Sequence, residues 1–364
     1  MRTTIGYFIG THEDWGGASR ALLNFVRLID RNRFRPIVLV TKRGPLVDRL
    51  ESEQVEWLVW PTHDRGHNIL RYATDIWRAA QFFRQHALQV LHINHGTIGW
   101  KPAEVLAARL LRIPIINHLH VGFERPSSFM RYSSAVVAVS RYVADHSESL
   151  GAPKRVIHNL SDLERFGGGT SLRRELGYAE SDVIIAFLGQ LIRVKGLELF
   201  VEVATRIDDP RARFIVAGPL RDTQGAYTDA EVRELVARDP RIRYLGYRAD
   251  VENIYATSDV IVMPSQWEEP CAMVLFEAAA AGKPVVATAT GGTAEILRHG
   301  ETGYLVERHD VEGMTKFVAV LIQDDALRQR LGEAASQLAR RSLAVEPVRQ
   351  LEDLYSSLTG AHTA

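Results

Sequence analysis

Short apolar segments alternate with amphipathic helical stretches along the whole chain, and this alternation restricts the fold more than any other feature. The segments with strand character are 4–10, 36–40, 55–59, 88–93, 114–120, 135–140, 182–189, 213–218, 242–246, 259–264, 284–289 and 303–306. Helical stretches fall between them, notably 18–26, 69–86 and 102–111. Because such alternation is typical of parallel sheets covered on both faces, we predict an α/β fold with Rossmann-like, doubly wound sheets.

The alternating pattern is interrupted at 151–171, where glycine, proline and polar residues accumulate. Three consecutive glycines, Gly167–Gly169, lie near the end of this stretch. A chain of 364 residues is also too long for one ordinary core. We therefore predict two domains, 1–166 and 167–340. Because doubly wound sheets bind ligands at the carboxyl ends of their strands, we expect the active site in a cleft between the domains.

The composition narrows the class of partner and the compartment. The chain has 44 Lys and Arg residues and 44 Asp and Glu residues, so no net charge indicates nucleic acid. One cysteine, Cys271, fits a reducing compartment, and no segment approaches the roughly 18 apolar residues that cross a bilayer. We therefore expect a cytoplasmic protein. Helix 69–86 carries arginines beside aromatic residues, and we favour a solvated helix that packs its aromatic residues inward. Peripheral contact with the inner membrane face is the alternative, and the oligomeric state is not readable.

The segment 264–293 carries the clearest chemical signal. Glu269 and Glu277 lie eight residues apart around a turn that opens a helix, and Gly291 and Gly292 follow the next strand. Carboxylates accept hydrogen bonds from sugar hydroxyls, and free N–H groups at helix starts and glycine turns attract phosphate. Glu277 stands between apolar residues and four alanines, where a buried glutamate needs a partner. The segment indicates a site for a phosphorylated, polyhydroxylated ligand, with a solvated pair of glutamates as the alternative.

Two other turns join a strand to a helix. Lys195 lies directly before a glycine and a helix, and Arg193 lies two residues earlier. A lysine beside a helix start can neutralise phosphate as a point charge, although a solvated lysine is the common alternative. Gly16 and Gly17 close the loop 11–17 after the first strand, where they let the backbone approach a ligand. The spacing is not the GxGxxG pattern of dinucleotide-binding proteins, so a plain tight turn stays open.

Histidines gather at the carboxyl ends of two predicted strands. His92 and His95 end one strand, and His118 and His120 end another, with both members of the second pair on one face. A structural zinc site needs four convergent ligands, and with one cysteine in the chain we expect no metal site. A histidine at the end of a strand can bind substrate or handle a proton. We select His120, which lies nearer the loop, with a structural histidine as the alternative.

Four segments match, in order and spacing, the motifs of a known enzyme family. WEEPCAMVLFEAAAAGKPVVATATGGTAEIL (267–297) has two glutamates eight apart, followed by a helix, a strand and a GG-x-x-E run. GQLIRVKGLELF (189–200) has a KG turn before a helix, and 136–166 and 250–265 match a linker and the approach to the glutamate motif. The chain in this respect resembles the retaining glycosyltransferases of family 4. The resemblance implies the GT-B fold, in which two Rossmann-like domains face each other across a cleft.

The resemblance implies a role for each position of the donor site. Glu277 would bind the ribose hydroxyls of a nucleotide, and Glu269 would contact hydroxyls of the donor sugar. Lys195 would sit on the diphosphate. Ala272 stands where the family has glycine, which reshapes the pocket for the donor sugar. The sugar would be supported by the backbone of the residues at the start of the helix, namely Cys271, Ala272 and Met273.

The resemblance also assigns residues outside this motif. Gly16 and Gly17 would close on the diphosphate, and His120 would lie at the reacting sugar in a binding or polarising role. Gln190 stands where the family usually has an arginine at the phosphate site. Arg193 lies nearby and is a candidate to replace it.

The implied activity is retaining transfer of a hexose-type sugar from a nucleotide diphosphate sugar, such as a UDP- or GDP-sugar, to a hydroxyl acceptor. The acceptor is a glycan, a lipid-linked molecule or a small molecule, and no metal cofactor is expected because the chain has no Asp-x-Asp motif. On the resemblance, 341–364 is a C-terminal helix that crosses back to the N-terminal domain. Two alternatives stay open: a degenerate scaffold that binds sugar nucleotides, which the changes at Gln190 and Ala272 motivate, and an NAD-dependent oxidoreductase.

Overall fold

The computed structural model describes residues 2–10, 16–40, 42–60, 69–95, 103–122, 127–149 and 151–360. These residues form two compact units. The first unit comprises Met1–Leu160 and Glu346–Ala364, and the second comprises Ser161–Val345. The first stretch of the first unit ends at Leu160, whereas the sequence analysis placed the domain boundary after residue 166. The C-terminal stretch of this unit begins at Glu346, whereas the sequence analysis began it at residue 341.

The described residues of the first unit form a parallel sheet of seven strands in the order β3-β2-β1-β4-β5-β6-β7. The strands are β1 Thr3–Ile9, β2 Phe34–Val40, β3 Glu56–Val59, β4 Val90–His95, β5 Ile115–Leu119, β6 Ala135–Ala138 and β7 Lys154–Val156. The helices of this unit are α1 Gly17–Leu28, α2 Pro45–Ser52, α3 Ile69–Gln85, α4 Ala103–Leu110, α5 Arg141–Asp145 and α14 Glu346–Thr359. From β1 the strand order runs outward to β3 on one side, and from β4 it runs outward to β7 on the other. The switch point of the sheet therefore lies between β1 and β4, and doubly wound folds bind ligands at such a point.

Helices cover both faces of this sheet, as the apolar strands require. One face packs against α1, α2 and α14, with Phe25 of α1 and Leu351 of α14 in the same core cluster. The other face packs against α3 and α4, with Phe83 and Val105 in its core cluster. In α3 the aromatic residues at the end of the helix point inward, whereas Trp77 is 61% exposed.

The described residues of the second unit form a parallel sheet of six strands in the order β10-β9-β8-β11-β12-β13. The strands are β8 Val183–Leu188, β9 Ala212–Ala217, β10 Ile242–Gly246, β11 Val260–Met263, β12 Val285–Thr288 and β13 Gly303–Val306. The helices are α6 Leu163–Gly167, α7 Leu197–Arg206, α8 Asp229–Val236, α9 Val251–Thr257, α10 Met273–Ala280, α11 Thr293–Ile296, α12 Val311–Gln323 and α13 Asp325–Leu338. In this sheet the switch point of the strand order lies between β8 and β11.

The observed sheets confirm the predicted fold class. Each of the twelve strand-like segments of the sequence contains or overlaps an observed strand. The sequence analysis missed β7, which it placed inside a linker. β7 is a three-residue strand at the edge of the sheet with two exposed basic side chains, Lys154 and Arg155. Short, charged edge strands lack the apolar run that marks a buried strand.

Candidate active site

Lys195 and Glu269 form an ion pair at the switch point of the second sheet. Lys195 follows β8 in a turn of 3-10 helix, and Glu269 follows β11. The Lys195 Nζ atom lies 2.6 Å from the Glu269 Oε1 atom, and the two side chains are 22% and 2% exposed. Gly196 permits this approach, because a Cβ atom there would lie 2.0 Å from the carbonyl oxygen of Pro264, and its φ of +79° suits glycine. The fold therefore brings together two residues that are distant in sequence.

Two further contacts stabilise the buried carboxylate of Glu269. The Ser265 hydroxyl donates a hydrogen bond to the same Oε1 atom. The Thr288 hydroxyl donates to the Ser265 carbonyl oxygen at 2.6 Å, which fixes the backbone that carries this serine. The ammonium of Lys195 also lies 5.1 Å from the ring centroid of Trp267. A buried carboxylate without such partners would be costly, so these contacts offset the burial of Glu269 and hold its side chain in one orientation.

The Gly291-Gly292 turn supports the backbone of Glu269. The Gly292 N–H donates to the Glu269 carbonyl oxygen at 2.7 Å. The Gly291 N–H donates to Glu268 Oε2 at 2.6 Å. A Cβ atom at Gly291, whose φ is +51°, would lie 2.2 Å from the Glu269 carbonyl oxygen. Both N–H groups that the sequence analysis offered to phosphate thus donate to acceptors within the protein in this structure.

Glu277 lies in α10 and is 3% exposed. Its Oε2 atom accepts a hydrogen bond of 2.8 Å from the hydroxyl of Tyr255 in α9. The helix begins at Met273, with Ala272 as its N-cap residue and without a side-chain cap, and the preceding Cys271 is buried. An uncapped helix start offers backbone N–H groups to an anion. The predicted supporting residues of the donor sugar thus lie at the start of α10, and Glu277 lies one turn further along it.

Gln190 and Arg193 occupy different surroundings. Gln190 is half-buried directly after β8, beyond Gly189. Arg193 is 49% exposed and forms ion pairs with Glu198 at 3.2 Å and Glu231 at 2.5 Å. The hydrogen bond that Arg193 donates to the Glu231 carboxylate raises the pKa of the Arg193 guanidinium. Arg193 therefore pairs with other carboxylates than Lys195, whose partner is Glu269.

In the first unit, Gly16 and Gly17 open α1. Gly16 is the N-cap residue with an extended backbone, φ −74° and ψ 148°, and no side chain caps the helix. Gly17 is the first helical residue. Positions 11–15 of the same predicted loop lie outside the described residues. The helix follows β1, so its amino end lies at the carboxyl edge of the first sheet, beside the switch point between β1 and β4.

His120 lies directly after β5, at the same edge of the first sheet. Its Nε2 atom is 3.5 Å from Asn94 Oδ1 in β4. Its ring stacks on that of His118, with centroids 4.6 Å apart and an interplanar angle of 22°. His118 in turn contacts His92, and both rings are buried. The side chain of His95 lies outside the described residues, and the rings of the other three histidines lie next to one another.

The structure adds partners that the sequence analysis missed. Ser265 and Trp267 sit within the predicted motif, yet a small hydroxyl and an aromatic ring carry no spacing signal of their own. Tyr255 lies in the helix before it. Among the described residues, no group of three His, Cys, Asp or Glu side chains is placed to hold a metal ion. No helix in the described part of the chain is long and apolar enough to cross a membrane.

Two Rossmann-like units, with an acidic pair and a lysine at the switch point of the second, define a GT-B glycosyltransferase. The model of "Glycosyl transferases group 1" matches residues 170–338, and that of "Glycosyltransferase Family 4" matches residues 15–165. The chain belongs to the group 1 glycosyltransferase family, and it is a glycosyltransferase. The oxidoreductase alternative is therefore wrong.

Curated relatives support this assignment. The chain is 31% identical over 338 residues to the D-inositol 3-phosphate glycosyltransferase of Corynebacterium kroppenstedtii, which covers 88% of this chain and 71% of that protein. It is 27% identical over 301 residues to the N-acetyl-alpha-D-glucosaminyl L-malate synthase of Bacillus anthracis, and this match covers 76% of this chain and 77% of that protein.

Solved structures share the fold. A glycosyltransferase from Rickettsia africae superimposes with a TM-score of 0.84 at 20% identity, and the match covers 98% of both chains. HepE from Anabaena, solved in complex with UDP and glucose, superimposes with a TM-score of 0.81 at 22% identity, which covers 98% of this chain and 100% of that chain. At these identities the likeness shows the fold alone.

Proposed function

We propose that this protein is a retaining, metal-independent glycosyltransferase that moves a hexose from a UDP-sugar to a hydroxyl acceptor. The ion pair between Lys195 and Glu269, beside the uncapped start of α10, carries the proposal. The choice of base draws on two similar proteins. One is HepE, solved with UDP and glucose, and the other is an Escherichia coli relative, 24% identical over 370 residues, named UDP-Gal:alpha-D-GlcNAc-diphosphoundecaprenol alpha-1,3-galactosyltransferase.

Each end of the donor meets residues of matching chemistry in the second unit. Glu277 accepts hydrogen bonds from the ribose hydroxyls, with Tyr255 holding its other side. Glu269 accepts from hydroxyls of the sugar. Lys195 lies beside Glu269, so its ammonium neutralises the diphosphate next to the sugar. The N–H groups at the start of α10 complete the polar contacts.

The reaction breaks the bond between the anomeric carbon and the diphosphate oxygen. The acceptor oxygen forms the new bond to the same carbon, and its proton goes to an oxygen of the departing diphosphate. Because the acceptor enters on the face that the diphosphate leaves, the anomeric configuration is retained. Lys195 stabilises the negative charge that grows on the diphosphate, which is typically the largest catalytic contribution. His120 forms a hydrogen bond with the reacting sugar, and the amino end of α1 at Gly16 and Gly17 provides N–H groups for the diphosphate.

The proposal assigns charge neutralisation to the protein rather than to a divalent cation, because Lys195 already supplies a positive charge beside Glu269. We also propose that the protein acts in the cytoplasm, since a chain with a single cysteine fits a reducing compartment. Contact with a membrane face through α3 remains a prediction that co-sedimentation with liposomes tests.

A panel of UDP-, GDP- and ADP-sugars tests the donor by thermal shift, because a bound ligand raises the melting temperature by mass action. We expect UDP-hexoses to give the largest shift. Proton NMR of the product, or of the sugar released to water, then reads the first-formed anomer. A product of inverted configuration would contradict the retaining mechanism, and a shift by GDP- or ADP-sugars alone would contradict the choice of UDP.

A further inference from the structure

A chain of buried hydrogen bonds runs across the first sheet from the C-terminal helix to β5, the strand that His120 follows. The Tyr355 hydroxyl donates to the Tyr7 hydroxyl at 2.8 Å. The Tyr355 oxygen lies 2.6 Å from His92 Nδ1, and His92 Nε2 lies 3.1 Å from His118 Nδ1. These four side chains are almost wholly buried. They come from β1, α14, β4 and β5, so the chain joins elements that are far apart in sequence.

The sheet register places this chain on one face. His92 pairs with Tyr7 of β1, and Asn94 pairs with His118 of β5. Residues paired across parallel strands point to the same face, and so do residues two apart along a strand. His120, two residues after His118, therefore continues the same row. The face is the one that α1 and α14 cover.

The hydrogen bonds have a direction, and the direction fixes the tautomers. Because the Tyr355 hydroxyl donates to Tyr7, its oxygen accepts from the His92 Nδ1–H group. Burial lowers the pKa of His92 to about 3, and it holds the pKa of His118 well below its ordinary value, so both rings are neutral. A neutral His92 with its proton on Nδ1 accepts at Nε2 from the Nδ1–H of His118. The His118 Nε2 atom is then a bare acceptor, and it has no hydrogen-bond partner among the described residues.

We propose that Tyr355 and His92 are positioning residues for glycosyl transfer: they hold His118 in one tautomer and one orientation, and His118 provides the ring face on which His120 stacks. The 4.6 Å stacking distance and the contact of His120 with Asn94 leave the His120 ring little freedom to turn. The inference rests on the role of His120 under the proposed function. It adds that the C-terminal helix, through one hydroxyl group, sets the geometry at the edge of the first sheet.

Removal of that hydroxyl group tests the proposal. Tyr355→Phe keeps the ring and deletes the hydrogen bonds to Tyr7 and His92. With the sugar nucleotide that the thermal-shift panel selects, we expect kcat to fall about tenfold and the donor KM to change less than about twofold, because a reacting group is misplaced while donor binding is not. Ser356→Ala is the matched control. It deletes the neighbouring hydroxyl of the same helix, which accepts from Arg33 at 3.0 Å and stands outside the chain, so kcat should stay within about twofold.

A double variant separates positioning from general damage. Tyr355→Phe combined with His120→Ala should be no slower than His120→Ala alone, because the hydroxyl acts through His120. An equal loss from Tyr355→Phe in both backgrounds would overturn the proposal. If His120→Ala loses turnover and Tyr355→Phe does not, the positioning proposal fails and the proposed function stands. If His120→Ala keeps full turnover, the role given to His120 in the proposed function fails.

The tautomers give a readout that does not depend on activity. Long-range proton–nitrogen NMR spectra of enzyme with labelled histidine distinguish a proton on Nδ1 from one on Nε2. We expect His118 to carry its proton on Nδ1 in the native protein. In Tyr355→Phe, His92 has no acceptor at Nδ1, and His118 Nε2 offers its own N–H no acceptor either. Neither set of tautomers is then preferred, so we expect His92 and His118 each to show a mixture of the two. An unchanged tautomer of His118 in this variant would overturn the proposal.

Discussion

Acidification should weaken the first unit, because His92 is buried as a neutral ring. Burial lowers the pKa of His92 from 6.5 to about 3. Below pH 6.5 the unfolded chain takes up a proton that the folded chain refuses, so stability is complete above that pH and is lost as the pH falls toward 3. At pH 5 the ordinary pKa lies about 1.5 units above the pH, and each unit is worth about 1.4 kcal/mol. His92 alone therefore costs about 2 kcal/mol at pH 5, and His118 adds a loss of the same sign.

Hydrogen exchange of amides in β1, β4 and β5 measures this loss, with the intrinsic exchange rates corrected for pH. The groups that face His92 are the hydroxyls of Tyr7 and Tyr355 and the rings of His118 and His120. The quantity to compare is the change in opening free energy between pH 7.5 and pH 5.

His92→Gln removes the titrating ring, so its change between the two pH values should be smaller than that of the native protein by about 2 kcal/mol. His146→Gln, at an exposed position, is the control and should behave as the native protein does. An identical pH dependence in His92→Gln and the native protein would refute the reasoning.

Four further predictions concern the second unit. Lys195→Ala should lower the transfer rate at least about tenfold, about 1.4 kcal/mol, whereas the exposed Lys316→Ala should not; equal rates would remove Lys195 from the diphosphate. Gly291→Ala should lower the melting temperature and donor affinity more than Gly300→Ala, since both have positive φ but Gly300 has open space around its Cβ position; equal effects would argue against the clash. Glu277→Gln should weaken nucleotide binding about tenfold in calorimetry, because a neutral acceptor replaces a charged one; unchanged affinity would leave Glu277 a structural residue. EDTA should leave transfer intact, and a loss that magnesium restores would contradict metal independence.

The sequence predicts the sheets well because buried parallel strands are continuous apolar runs, such as 182–189 and 284–289. It fails at β7, whose exposed Lys154 and Arg155 give no such run. It also predicts that Glu277 needs a partner, but it cannot say that the partner is Tyr255, because contact between two helices depends on packing rather than spacing.

The candidate site follows the same division. The pairing of Lys195 with Glu269 agrees with the predicted neighbourhood, since both lie after strands at a switch point. The N–H groups of Gly291 and Gly292 looked free in sequence, yet the fold uses both of them to hold the residues before α10. Hydrogen-bond acceptors that come from another loop leave no local pattern, so the sequence could not have shown this.

The first unit is discontinuous in sequence, since α14 supplies Leu351, Leu354 and Tyr355 to a core whose other members precede residue 161. During synthesis the ribosome must make residues 161–345 before these side chains emerge. Until then the sheet face around Tyr7 and His92 has no cover from α14. The nascent chain therefore exposes an apolar surface for the whole time that the second unit is translated. We expect the second unit to reach its native packing before the first unit does.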